Sequence, residues 1–85
     1  MPHDHEIAIK DMATQAVMHM QGIKFLRKER TPETPSGATF YVPRNAETTI
    51  VLARLADDSY LVKPVPFITS CRIVRKWSRE LQNNT

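Results

Sequence analysis

Residues 49–65 constrain the fold more than any other stretch. They read Thr-Ile-Val-Leu-Ala-Arg-Leu-Ala-Asp-Asp-Ser-Tyr-Leu-Val-Lys-Pro-Val, two apolar, β-branched runs on either side of a polar Ala56-Asp57-Asp58-Ser59 tip. That pattern predicts a β-hairpin. With Leu55 opposite Tyr60, one face carries Val51, Ala53, Leu55, Tyr60 and Val62 and no charge. The other carries Ile50, Leu52, Arg54, Leu61, Lys63 and Val65. A slip of one residue would bring Lys63 among the apolar set, which selects this register. Asp-Asp lacks the glycine that a primed two-residue turn favours, so a four-residue loop is expected. Pro64 ends the second strand or places it at a sheet edge. A hairpin by itself is marginal in water, so the rest of the chain must cover its apolar face.

The first cover is a helix expected over residues 5–21. Ile9, Met12, Ala13, Ala16, Val17 and Met20 recur at helical spacing, while Lys10, Asp11, Thr14, Gln15 and Gln21 lie away from that stripe. Asp4 is placed to cap it and Glu6 suits the positive end of its dipole. Gly22 suits the left-handed residue that follows a helix, and a Schellman ending would lay Ile23 over Met18. Ile23 and Phe25 alternate with Lys24, which predicts a strand over 23–29. Thr31-Pro32-Glu33-Thr34-Pro35-Ser36-Gly37 stops ladders and helices alike and reads as a loop; turn formation accounts for its Thr-Pro pairs. Ala38–Val42 is an aromatic, β-branched strand closed by Pro43, and 44–47 is a turn.

The last segment admits two readings. As a helix over about 70–82, capped by Thr69 or Ser70, it places Ile73, Val74, Trp77 and Leu81 on one arc and Arg72, Arg75, Lys76 and Arg79 on another. As a strand it would mix charge into both faces. The helix is preferred, although Phe67, Ile68, Thr69, Ile73 and Val74 favour strands.

Charge is distributed unevenly. Residues 1–68 hold eight basic and eight acidic side chains, whereas residues 69–85 hold Arg72, Arg75, Lys76 and Arg79 against Glu80, so the net +3 lies in the tail. This asymmetry suggests an anionic partner. Arg27, Lys28 and Arg30 form a second basic cluster. With 41% hydrophobic residues and two glycines among 85, the chain reads as one small folded domain, with residues 1–4 and 83–85 expected to fray. The lone Cys71 excludes an internal disulfide and suggests a reducing compartment. No apolar run approaches the roughly 20 residues of a membrane span, and His3-Asp4-His5-Glu6 is not a signal segment. A cytoplasmic protein with no membrane contact is the expectation.

Candidate chemistry is sparse. His3 and His5 with Asp4 and Glu6 form no closed metal site, and Pro2 lacks the amide that a terminal copper or nickel site would deprotonate. His19 lies at the edge of an apolar stripe. Cys71 reads as a small apolar residue rather than a nucleophile. Asp57 and Asp58, adjacent at a hairpin tip, would point apart and stay in water, which does not suit acid–base work. No glycine motif cradles a phosphate. The chain therefore reads as a non-enzyme without metal or cofactor.

If Cys71–Trp77 were a strand, the order of one helix and about five strands would be similar to the Sm-like (SH3-like) small barrels. Ile50-Val-Leu-Ala-Arg-Leu, Tyr60-Leu-Val-Lys and Phe67-Ile-Thr-Ser would be the later strands. The glycine typical of that family's early strands is missing.

The preferred fold class is α+β: an N-terminal helix packed on a small antiparallel sheet of about four strands, with a C-terminal basic helix. Two functions follow. One is a nucleic-acid-binding or transcription-associated accessory protein that uses Arg72, Arg75, Lys76 and Arg79, with Arg27, Lys28 and Arg30 in support. The other is a protein-interaction module, such as a small phage- or plasmid-type inhibitor or adaptor, that sets the same side chains on an acidic protein surface. Pairing of two copies through a sheet edge or the N-terminal helix is a further expectation.

Overall fold

The apolar stripe of the N-terminal segment divides at Lys10. The structure, a computed structural model, describes residues 4–57 and 61–83. Glu6–Ile9 form a strand, β1, and the helix that follows, α1, spans Met12–Met20. The helix expected from residue 5 therefore begins seven residues later. Asp11, not Asp4, is its cap: Oδ2 accepts from the Thr14 amide at 2.8 Å and from its hydroxyl at 2.6 Å. Residues 6–9 are drawn into a sheet because Ile7 and Ile9 find Val42 and Phe40 as cross-strand partners.

The other end of α1 matches the sequence reading. Gly22 has φ +75°, its amide donates to the His19 carbonyl, and the Ile23 amide donates to the Met18 carbonyl. This Schellman pair places Ile23 against Met18, and both are buried in one cluster.

β2 spans Arg27–Arg30 and β3 spans Ala38–Pro43, joined by the expected loop. Residues 23–25 are irregular, so the second strand starts later than the alternation of Ile23 and Phe25 suggests. The sheet order is β1-β3-β2, all antiparallel. Three strands rather than about four are present among the described residues, because the first arm of the expected hairpin is helical and residues 61–63 of the second are irregular.

That correction is the largest. Residues 46–56 form α2 (Ala46–Ala56), and α3 spans Pro64–Asn83. Asn45 and Thr48 make a reciprocal capping box at the start of α2. Thr48, Val51, Leu52 and Leu55 then fall on one helical arc, and these are the residues of α2 that turn inward. Tyr60 and Asp58 lie outside the described residues. Pro64 does not end a strand; it opens α3, where a missing N–H costs nothing. The last segment is thus a helix, six residues longer at its start than expected, and the barrel alternative is excluded.

Cross-strand neighbours share a face. Ile7, Ile9, Val42, Phe40, Ala38, Lys28 and Arg30 lie on one side of the sheet; Ala8, Tyr41, Arg27, Thr39 and Glu29 lie on the other. The helices cover the first side. Ile9 and Val42 cluster with Val17, Met18, Ile23 and Val51. Ala38 and Phe40 cluster with Val74, flanked by Met12, Phe25, Trp77 and Leu81. The result is the expected α+β architecture, three helices with a three-stranded antiparallel sheet.

Gln15, placed off the apolar stripe by sequence, is fully buried. Its amide nitrogen donates to the carbonyls of Ile9 and Ala38, tying the end of β1 to the start of β3. The opposite sheet face is polar. Arg27 pairs with Glu6 at 3.2 Å and Glu29 at 3.1 Å, and its guanidinium lies 3.7 Å from the Tyr41 ring centroid. No described helix is long and apolar enough to cross a membrane.

Candidate nucleic-acid interface

α3 presents two clean faces. Ser70, Val74 and Ser78 are buried, and Phe67, Trp77 and Leu81 beside them are half-buried. Opposite them, Val65, Ile68, Thr69, Arg72, Arg75, Lys76 and Arg79 are exposed. The spacing i, i+3, i+4, i+7 stacks the four cations in a stripe about 10 Å long, at 1.5 Å per residue.

The apolar arc holds α3 in place. The Phe25, Phe40 and Trp77 rings meet with centroids 5.1–6.2 Å apart. His19 of α1 meets the Trp77 ring edge-on at 5.3 Å and its Nδ1 bonds the Ser70 hydroxyl at 2.9 Å. Such aromatic pairs contribute roughly 0.5–1.5 kcal/mol each beyond the area they bury. Trp77 therefore packs and is not free to stack on a base.

Arg72, Arg75, Lys76 and Arg79 make no ion pair with any described residue. Their charge meets solvent. Glu80 is exposed beside them.

The second basic cluster does not stay together. Lys28 and Arg30 lie on the helix side of the sheet: the Lys28 ammonium sits 4.2 Å from the Trp77 ring centroid, and Arg30 borders a shallow cleft with Gln82 and Asn83. Arg27 lies on the other side, engaged with Glu6, Glu29 and Tyr41. Its guanidinium is held above its ordinary value, chiefly by the hydrogen bond to Glu6. Lys28 and Arg30 are exposed; Arg27 serves the sheet.

The other candidates separate as well. His3 lies outside the described residues, and the Glu6 side chain, 4% exposed, pairs with Arg27. Among the described residues no three His, Cys, Asp or Glu side chains converge as metal ligands. Cys71 is half-buried on α3, and Asp57 follows the last turn of α2.

Sequence reasoning missed two features. The first is apolar: Val65 is 73% and Ile68 49% exposed on the same face of α3 as the cations, and Leu61 just before the helix is 93% exposed. Assigning Leu61 and Val65 to a hairpin, and starting the last helix only at about residue 70, hid their alignment with Arg72. The second is a cleft of about 380 Å³ between α1, the 31–37 loop and α3, lined by Asp11, Met12, Pro35, Ser36, Arg75 and Ser78. Its signal in the sequence was Ser78, a hydroxyl four residues beyond Val74 on the buried arc.

Comparison with protein-family models, with curated protein sequences and with solved structures finds no match.

Proposed function

We propose that this protein is a small, non-enzymatic nucleic-acid-binding accessory factor that lays the solvent face of α3 against a phosphate backbone. The observation that carries this reading is the stripe of Arg72, Arg75, Lys76 and Arg79, exposed and without ion pairs among the described residues. Phosphate contacts of this kind position a protein without reading sequence, and they release counterions. Four contacts give a slope of about −3 to −4 in log affinity against log salt concentration on duplex DNA. Changing all four residues to Gln abolishes binding measured by fluorescence anisotropy at low salt. Undiminished affinity in that variant, which alters only exposed positions, would falsify the proposal. Cytoplasmic residence accompanies this reading.

A second reading is favoured by Val65, Ile68 and Leu61. Apolar side chains that continue into a cationic stripe suit a protein surface with an apolar patch and an acidic border, which is the adaptor or inhibitor class.

A further inference from the structure

We propose that the cleft beside Arg75 is a pocket for one unstacked base of a single-stranded nucleic acid, with guanine the preferred occupant. This rests on the nucleic-acid reading and extends it from the backbone to a base.

Arg75 belongs both to the exposed stripe and to the wall of the cleft, so a strand that follows the stripe passes the opening. At about 380 Å³ the cleft lies within the range of small-ligand sites, roughly 300–1,000 Å³. Met12 and Pro35 supply an apolar lining. Ser78, also lining it, is 5% exposed, and its hydroxyl has no hydrogen-bond partner. Buried hydroxyls are ordinarily paired, and an orphan on a side chain that lines a cleft marks a place where a ligand atom completes the bond. Asp11 adds the second polar group. Its Oδ2 caps α1, and no described residue bonds Oδ1.

This chemistry argues against a phosphate in the cleft itself, because the Asp11 carboxylate repels one. It favours a neutral group rich in donors. A carboxylate only accepts, and guanine alone among the bases places two N–H donors side by side on its pairing edge, next to a carbonyl that a hydroxyl can serve. Single strands expose these edges, whereas a duplex engages them in pairing. Arg75 remains at the rim for the adjoining phosphate.

The test compares a short oligothymidine carrying one central guanosine with plain oligothymidine of the same length, by anisotropy at low salt. The wild-type chain binds the guanosine probe about tenfold more tightly, the discrimination of one well-placed base contact. Asn is as good a helix cap as Asp, so Asp11→Asn keeps the fold. It brings the two probes within about twofold of each other by weakening the first and, through loss of a negative charge, strengthening the second. Ser78→Ala lowers the preference severalfold without lowering the melting temperature, since the hydroxyl it removes satisfies nothing in the free protein. Equal binding of both probes by the wild type, or an intact preference in both variants, overturns the base pocket and leaves the stripe standing. If neither probe nor duplex binds, both readings fall together.

Discussion

Gly22 shows how much one residue decides here. At φ +75° it closes α1 and turns Ile23 back over Met18, and nothing lies within 4 Å of where a Cβ would stand. The cost of a side chain at this position is therefore purely conformational. Gly22→Ala is expected to lose about 1–2 kcal/mol, roughly 4–16 °C of melting temperature in a chain of this size. Gly22→Asn, which tolerates the left-handed region, should recover part of that loss. Circular dichroism melts of the two variants check this, and equal melting of Ala and wild type would remove Gly22 from the role assigned to it. Glu6 is a residue whose role sequence spacing could not show. A helix was expected around it, yet its partner is Arg27, 21 residues on. Because that hydrogen bond raises the Arg27 value, the stability it brings is fully present below the ordinary guanidinium value. It is lost only as pH rises through the raised one, far above neutrality.

At the scale of elements, α2 carries the main lesson. Thr49, Ile50 and Val51 are β-branched, and together with Tyr60 and Val62 they outweighed a helical signal that was also present. Asn45 and Thr48 form a capping box, Ala46, Leu52, Ala53, Leu55 and Ala56 favour helix, and the inward residues repeat at 48, 51, 52 and 55. Alternation and helical periodicity overlap in so short an apolar run, and tertiary packing chose between them. Asn45→Ala should cost about 1 kcal/mol, seen as a lower urea midpoint at unchanged m-value. A midpoint equal to wild type would mean that the box does not hold α2. The same overlap hid β1, whose Ile7 and Ile9 suit a helix stripe as well as a strand. By contrast the Gly22 ending, the 31–37 loop, β3 and both arcs of α3 were legible, because each rests on local stereochemistry or on a pattern long enough to have one period. The stripe of the candidate site was visible for that reason. Its cleft was not, because Asp11, Ser36 and Ser78 meet only when α1, the loop and α3 are packed.

Across the whole molecule, the helices lie on one side of the sheet and a polar network of Glu6, Arg27, Glu29 and Tyr41 lies on the other. α1 buries Ala16, Val17 and Met18 inside the fold, which leaves β1 and β2 as the sheet edges for any pairing of copies. The outer face of α3 changes character along its length, apolar at Val65 and Ile68 and cationic from Arg72 onward. The two functional readings divide there. The double variant Val65→Ser, Ile68→Ser should leave oligonucleotide affinity within about twofold, because counterion release belongs to the cations. A partner protein seated on this face would lose tenfold or more in affinity with the same variant, as apolar anchors near the centre of an interface carry a large share of its energy. Titration of the oligonucleotide with the double variant checks the first expectation, and a tenfold loss there would place the apolar residues in the nucleic-acid contact.

The packing of Trp77 has a practical corollary. It is the only tryptophan in the chain, wedged half-buried between the Phe25 and Phe40 rings, His19 and the Lys28 ammonium. The protein thus carries its own fluorescent gauge, stationed at the joint between α3 and the sheet rather than on the charged stripe. Its emission tracks the seating of that helix, so an occupant that merely rests on Arg72 and Arg79 passes in the dark, while one that levers α3 from its bed announces itself in the colour of the light.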